Sequence, residues 1–335
     1  MDIPYRRRSE YQPVDLEKLR PKDSYKSLMQ KRTHSIDALV AEHGRIPAEL
    51  LAARSCPTCG SSDAAPELSK DHMAIVRCRV CDLVYTNPIF DEHHYREMYG
   101  SQDYQGIMRD LGEQSHAYRV DRFGTERVTL MERQIENASS PVRYLDVGCS
   151  TGFVVEAAHQ RGWAATGIDL NPSAIAFGRG RGLDLHVAAL ADVSFEPGSF
   201  DAVSLFDVLE HLTTPADIVR QCSRLLKPGG ILFLYVPNWD SASRLLMNGE
   251  AHFIWPTHHL NYYTPTTIHD FLSRCGLDVA SLTTEGLDFA DYIWYRKEVL
   301  EQDTAQLEEL VDTLQFLANA GAYGKNLRVI ARKRR

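Results

Sequence analysis

The chain has 335 residues, 44% of them hydrophobic and 24% charged, with a formal net charge of −8. That length holds one large domain and a small one, at a composition ordinary for globular proteins. The acidic balance argues against indiscriminate nucleic-acid binding, and no apolar run approaches the ~20 residues a membrane helix needs. The basic clusters Arg6-Arg7-Arg8 and Arg332-Lys333-Arg334-Arg335 read as solvated tails. The first residues are charged and lack the apolar core of a secretory signal, so the expected compartment is the cytoplasm. Thiols stay reduced there, and paired cysteines point to metal rather than to disulfides.

Residues 1–53 are polar and carry Pro4, Pro13, Pro21 and Pro47. Helical spacing at Leu28, Ile36, Leu39 and Val40 marks a helix within 24–43. The segment reads as a helical arm that packs on the body or supports a homodimer. Residues 54–90 contain Cys56-Pro-Thr-Cys59 and, after 18 intervening residues, Cys78-Arg-Val-Cys81. This is the spacing of a four-cysteine zinc ribbon, in which each C-x2-C turn aims two thiolates at one ion. A shell closed by four thiolates leaves no place for substrate, so the site is structural, and so small a ribbon needs its ion to fold. Residues 83–88 leave the ribbon as a strand. An aromatic run follows at Phe90, His93, His94, Tyr95, Tyr99 and Tyr104, and 106–136 is helical, so that 91–140 forms a helical connection.

The segment 141–335 opens with a short apolar strand over 144–147. It turns through Gly148, Cys149, Ser150, Thr151 and Gly152 and continues as a helix from Phe153. Glycine accepts positive φ and lets a ligand approach the backbone, and the helix start offers unpaired N–H groups. A second strand over 164–170 carries Asp169 at its end, about 20 residues past the turn, where an acidic side chain holds ribose hydroxyls. The spacing suggests adenosine recognition, with an ordinary dinucleotide site as the alternative. Asp146, just ahead of the turn, suits a cationic or zwitterionic ligand better than a diphosphate.

Downstream, a helix is expected over 172–181 and strands over 184–189, 201–206 and 231–236, the last after the turn Lys227-Pro228-Gly229-Gly230. A helix over 265–275, a strand over 278–284, a helix over 293–317 and a closing strand over 327–331 complete the chain. This alternation predicts the α/β class: a Rossmann-like, doubly wound, seven-stranded sheet with a small N-terminal zinc-ribbon subdomain and helical additions. The insert 285–325 is longer than the fold needs and suggests a lid or a dimer surface. Cys149, Cys222 and Cys275 fall in core elements and read as small buried apolar residues.

The run Leu145-Asp146-Val147-Gly148-Cys149-Ser150-Thr151-Gly152 resembles the first motif of the class I S-adenosylmethionine (SAM) methyltransferases. With the cysteine pairs, the chain from about Cys56 to Arg332 is similar to sugar and natural-product methyltransferases that carry an N-terminal ribbon. The resemblance implies SAM as cofactor, held by Asp146, Gly148, Cys149, Gly152, Asp169, Leu170, Leu190, Ala191 and Asp207. Many members of the family have an acidic residue where Ala189 stands here, so the adenine contacts fall to Leu190, Ala191 and Asp192. The resemblance also implies that Tyr95, Tyr99 and Tyr104 fold over the SAM pocket; aromatic packing between ribbon and main domain is the other reading.

Transfer of a methyl group to a hydroxyl requires removal of its proton, and histidine is the usual base at neutral pH. His211, His258 and His259 stand in segments expected at the carboxyl ends of the strands, where ligands bind. Asp207, Glu210 and His211 further resemble a Glu-x-x-Glu-His motif by which some relatives hold a divalent ion such as Mg2+, with His258 or His259 as a further ligand. The expected acceptor is a hydroxyl on a sugar, a glycan or another small molecule. Carbon methylation beside a sugar ketone, modification of RNA or protein, and a non-catalytic SAM-binding module stand as alternatives.

Overall fold

The computed structural model describes residues 8, 11–20, 30, 33–34, 36–41, 44–136 and 140–334, with only the backbone at 103, 104, 107 and 108. Leu28 and the Tyr104 side chain therefore lie outside the described residues. Residues 30, 33–34 and 36–40 are helical, within the span expected for the arm.

Thirteen strands are described, in three sheets. In chain order they are β1 (Leu51–Ala52), β2 (Ala64–Lys70), β3 (Met73–Cys78), β4 (Val84–Thr86), β5 (Ile89–Phe90), β6 (Arg143–Val147) and β7 (Ala164–Asp169). Then follow β8 (Leu185–Val187), β9 (Phe200–Phe206), β10 (Leu226–Pro237), β11 (Asn261–Tyr262), β12 (Leu277–Glu285) and β13 (Asn326–Lys333). The central sheet has seven strands in the order β12-β13-β10-β9-β6-β7-β8. β8, β7, β6, β9 and β10 run parallel, and β13 lies antiparallel between β10 and β12. The order reverses between β6 and β9, so the loops leaving these two strands diverge and open a crevice.

Every residue of β9 is buried, as expected for a central strand covered on both faces. Leu145, Val203 and Leu232 pack on one face of the sheet, and Tyr144, Ala202 and Ile231 on the other. β10 is longer than the expected strand. It takes in Lys227-Pro228-Gly229-Gly230, where the register against β9 shifts between Leu226 and Ile231 and Gly229 has φ 77°.

The ribbon does not complete its own sheet. β2, β3 and β4 are antiparallel neighbours, and β11, which follows β10 in the chain, adds the fourth strand by pairing Asn261 with Tyr85 and Tyr262 with Val84. Cys56, Cys78, Leu83 and Tyr85 belong to the same hydrophobic cluster as Leu209 and Tyr263.

The connection forms helices Gln102–Arg119 and Thr125–Gln134, joined by a π-helical turn at Val120–Gly124. Such a turn often marks a functional irregularity. Here it brings Gly124 against the helix Phe153–Gln160: a Cβ on Gly124 would stand 2.9 Å from both the Ala157 Cβ and the Phe153 carbonyl oxygen.

The expected helix 293–317 is two helices, Asp288–Glu298 and Ala305–Ala320. The apolar periodicity runs on through Val299 and Leu300, but both are exposed, and Asp303 accepts from the Ala305 N–H to start the second helix. The insert is fastened rather than hinged. Buried Asp288 accepts from Ser243 N at 3.0 Å, Lys325 N at 2.7 Å and Gln315 Nε2 at 2.9 Å. No described helix is long and apolar enough to cross a membrane.

The contact at Gly124 is backbone on one side, so it cannot yield by a rotamer change. Gly124→Val is expected to cost roughly 1–3 kcal/mol through overpacking. A fall in the urea midpoint at unchanged slope would show it; an unchanged midpoint would mean that the two helices do not approach as described.

Candidate functional site

The glycine bend follows β6 directly. Gly148 and Gly152 have φ of 77° and 80°, and Ser150 also lies in the left-handed region at 50°. A Cβ on Gly148 would stand 2.3 Å from Val208 Cγ2, and one on Gly152 2.8 Å from Leu185 Cδ1, so a side chain at either position would have to displace a neighbour as well as bear the positive φ. Gly148 N and Cys149 N donate to the Ile168 carbonyl at 2.8 and 3.0 Å. Asp169 accepts from Ser150 N through Oδ2 and from Asn171 N through Oδ1, both at 2.8 Å. Burial raises its pKa, against the pull of these backbone donors. Leu170, next in the chain, is 64% exposed. Leu190 is buried, while Ala191 and Asp192 are exposed on the turn that follows β8.

Asp146 faces inward. It is buried, accepts from Ser204 Oγ at 2.6 Å, and Ser204 in turn contacts the Tyr144 hydroxyl at 2.6 Å. Burial pushes its pKa up to about 6. Cys149 is also buried; its sulfur would stand 2.7 Å from a Cβ on Gly167.

The helix Gln102–Arg119 lies over this bend. A Cβ on Gly112 would meet Thr151 Cγ2 at 2.8 Å. His116, 2% exposed, bonds Thr151 Oγ1 through Nδ1 and Glu156 through Nε2, each at 2.9 Å. Arg181 closes the network with two bonds to Glu156, whose carboxyl it brings down to about 2, with His116 adding to the effect. Burial lowers the pKa of His116. One turn on, Arg119 is held by Ser115 Oγ at 2.7 Å. Burial brings its pKa down to about 10, with Asp207 opposing. Asp207 ends β9 with φ 55°, its backbone N–H bonded to the Tyr235 carbonyl. Its carboxyl is accessible yet walled in by protein, and burial raises its pKa against Arg127, Arg119 and Lys325. His116, Arg119, Gly112 and Glu156 were not marked by sequence reasoning. They sit on two helices whose contact no local pattern encodes.

A second group lies just beyond β9. Ligand atoms of Glu210, His211 and His259 all lie within 4.8 Å of one another. His211 Nδ1 donates to the His258 carbonyl at 3.0 Å, and His259 Nδ1 to the Phe253 carbonyl at 2.8 Å. Both bonds select the tautomer with its lone pair on Nε2. Glu210 is 1% exposed; its Oε1 is 4.0 Å from His211 Nε2, and its Oε2 has no hydrogen-bond partner. Burial raises the Glu210 carboxyl well above its usual range and lowers His211 to about 4.

The structure leaves two expected members outside this group. His258 is stacked on Trp255 at 3.8 Å and contacts Thr257 Oγ1, while Asp207 faces the arginines. Tyr99 approaches the histidines: its hydroxyl is 3.3 Å from His211 Nδ1 and its ring 5.7 Å from His258. Tyr95 is buried between Phe90 and Tyr99.

The four ribbon cysteines form the other metal-competent group. Their sulfurs lie within 4.8 Å of one another, Cys56 to Cys81 at 3.4 Å and Cys59 to Cys78 at 3.5 Å. All seven cysteines are free. Four soft thiols converging from two C-x2-C turns suit a tetrahedral ion.

Residues 118–282 match a family described as a methyltransferase domain. The chain is 34% identical over 170 residues to the ubiquinone biosynthesis O-methyltransferase of Xanthomonas euvesicatoria pv. vesicatoria, a match covering 47% of this chain and 70% of that protein. It is 36% identical over 154 residues to the enzyme of the same name from Xanthomonas campestris pv. campestris strain B100, covering 42% of this chain and 64% of the relative. Among solved structures, a chain of the complex between the Haloferax volcanii Trm112 methyltransferase activator and a methyltransferase superposes with a TM-score of 0.50. It is 15% identical and covers 70% of this chain and 99% of its own, a likeness of fold alone.

Asp146 generates a pH test. Its carboxyl binds a proton more tightly in the folded chain, at about 6, than at the ordinary value of 3.8, so the folded state loses stability as pH rises through this window. Asp146→Asn carries no such term. The stability of the Asn variant relative to wild type should therefore rise between pH 4 and pH 7, by roughly 2 kcal/mol in urea titrations. A difference flat with pH would show that Asp146 is ionised as easily as in solvent.

Proposed function

Because the chain belongs to the SAM-dependent methyltransferases, we propose that it is an O-methyltransferase acting on one of two neighbouring hydroxyls of a small molecule, such as a sugar, a glycan unit or another natural product. The observation that carries this reading is the convergence of Glu210, His211 and His259 beside the crevice, where one ligand atom of each lies within 4.8 Å of the others. The relatives' designation as O-methyltransferases supports transfer to oxygen.

SAM, when bound, supplies the methyl group on a sulfonium. Gly148 and Gly152 let the bend pack closely on Val208 and Leu185 while taking positive φ. Asp169 retains lone pairs for ribose hydroxyls beyond the two spent on backbone donors. Exposed Leu170 and the turn at Leu190–Asp192 offer the base an apolar edge. Arg119 and Asp207 give the crevice one cation and one anion, the complement of an amino-acid end. His116 keeps the covering helix on the bend.

Glu210, His211 and His259 fit a divalent ion, which would lower the pKa of a coordinated hydroxyl. His211 by itself is a poor base, since burial keeps its imidazole neutral down to about pH 4. The second reading needs no ion: His259, its tautomer set by Phe253, takes the proton directly. The four cysteines hold a structural zinc in this reading, and they touch no step of the reaction.

The test is a labelled-SAM assay against sugar nucleotides, glycans, small phenolic diols and RNA. We expect label on a small-molecule oxygen, lost on chelation, restored by Mg2+ or Mn2+, and at least about 100-fold lower in His259→Ala. Turnover indifferent to chelation but lost in His259→Ala would select the second reading; label confined to RNA or protein would remove both. Elemental analysis should find a tightly held zinc, about one per chain, that survives His259→Ala and is lost with Cys56→Ser. Its absence from freshly purified protein would overturn the ribbon assignment.

A further inference from the structure

One side chain bonds at once to the ribbon and to both segments that carry the histidine group. Arg54 stands two residues before the first cysteine, half-buried, with its guanidinium spread over three segments of chain. Its Nε donates to the Thr86 carbonyl at 3.1 Å, at the end of the ribbon strand β4. Its Nη2 donates to the Leu260 carbonyl at 2.6 Å and to Asn261 Oδ1 at 3.2 Å. Its Nη1 reaches the Thr213 carbonyl at 3.4 Å, and its plane lies over the Tyr85 ring at 5.4 Å.

The segments it gathers are those that carry Glu210, His211 and His259. Asn261, fully buried, passes the connection on by donating from Nδ2 to the carbonyls of Leu209 and Leu212. Leu260 N donates to the Glu210 carbonyl at 2.6 Å. Thr86 binds the loop twice, from its N–H to the Leu260 carbonyl and from its hydroxyl to the His259 carbonyl. His211 in turn bonds the His258 carbonyl. Leu209, Leu212 and Leu260, which flank the three side chains, are thus tied within one or two bonds to Arg54.

We propose that Arg54 is a positioning residue for the acceptor site: with β4 it clamps residues 258–263 onto residues 209–213, so that the ribbon fixes the mutual geometry of Glu210, His211 and His259. The ribbon then serves the reaction without touching it. A planar five-donor fork suits this task, since one guanidinium serves several carbonyls in fixed directions where an ammonium would serve fewer. The clamp leaves the donor bend alone, because no bond of Arg54 reaches residues 146–170. The proposal rests on the reading of the histidine group given above.

The full chain, zinc-loaded, is compared as wild type, Arg54→Lys and Arg54→Gln. Three quantities are read: affinity for S-adenosylhomocysteine by calorimetry, amide exchange by mass spectrometry, and Mn2+ binding by electron paramagnetic resonance. In Arg54→Gln, S-adenosylhomocysteine affinity should stay within about two-fold of wild type, while exchange in 258–263 and 209–213 quickens about ten-fold or more. Mn2+ affinity should fall about ten-fold or more, as for loss of an orienting neighbour, with Arg54→Lys in between. Exchange in both segments equal to wild type overturns the clamp. Quickened exchange with Mn2+ binding to neither protein sustains the clamp and removes the cation from the acceptor site. If both variants exchange faster throughout, wild type stripped of zinc by a chelator replaces them; unchanged exchange in 258–263 would then overturn the proposal.

Discussion

The bend between β6 and the helix Phe153–Gln160 must pass three times through left-handed backbone within five residues, at Gly148, Ser150 and Gly152. Two of these are glycines and bear it at little cost; Ser150 does not have that freedom. What holds Ser150 there is Asp169, whose Oδ2 takes its N–H. The same carboxylate binds Asn171 N, and Asn171 caps the next helix by accepting from Ser173 N and Ala174 N. One side chain at the end of β7 therefore fixes the bend of its neighbour β6 and the start of its own following helix. The crevice has its shape because of this.

The two halves of the crevice are built differently. The half at the glycine bend belongs to adjacent parallel strands and to the helix Gln102–Arg119 with its π-helical turn, which Gly112 and Gly124 let come close. His116 there has partners on both ring nitrogens, and both oxygens of Glu156 accept hydrogen bonds. The half at the histidine group is drawn from four separated segments, held by hydrogen bonds to loop carbonyls. Its carboxylate keeps one oxygen unpartnered.

This difference also decides what could be read from the sequence. The strand, the bend and Asp169 lie within one continuous stretch, so spacing alone located them, and the cysteine pairs were legible for the same reason. The seven strands followed from alternation, because each is a local apolar run. The ribbon's fourth strand was not legible: Asn261 lies 207 residues from Arg54, and two residues of β11 have no pattern of their own. Nor could the sequence separate His258 from His259. Both backbone N–H groups donate to the Trp255 carbonyl, yet one ring stacks on Trp255 and the other turns toward Glu210. Only the tertiary packing of residues 253–260 decides which faces the site. Asp207 was placed correctly at the end of β9, but its partners, Arg119 and Arg127, come from the covering helices.

Glu210 is the residue where stability and function pull apart most clearly. A buried polar atom without a hydrogen-bond partner costs about 1–3 kcal/mol, and burial of an ionised carboxylate costs more. Leaving Glu210 protonated avoids the larger cost but not the smaller, since Oε2 still has no donor. An apolar side chain among Leu209, Tyr263 and the ribbon cluster would carry neither penalty. A fold selected for stability alone has no use for a carboxyl there. In the proposed acceptor site a cation or a hydroxyl pair would offset that penalty, and the proposed clamp of Arg54 and β4 would keep those three side chains together.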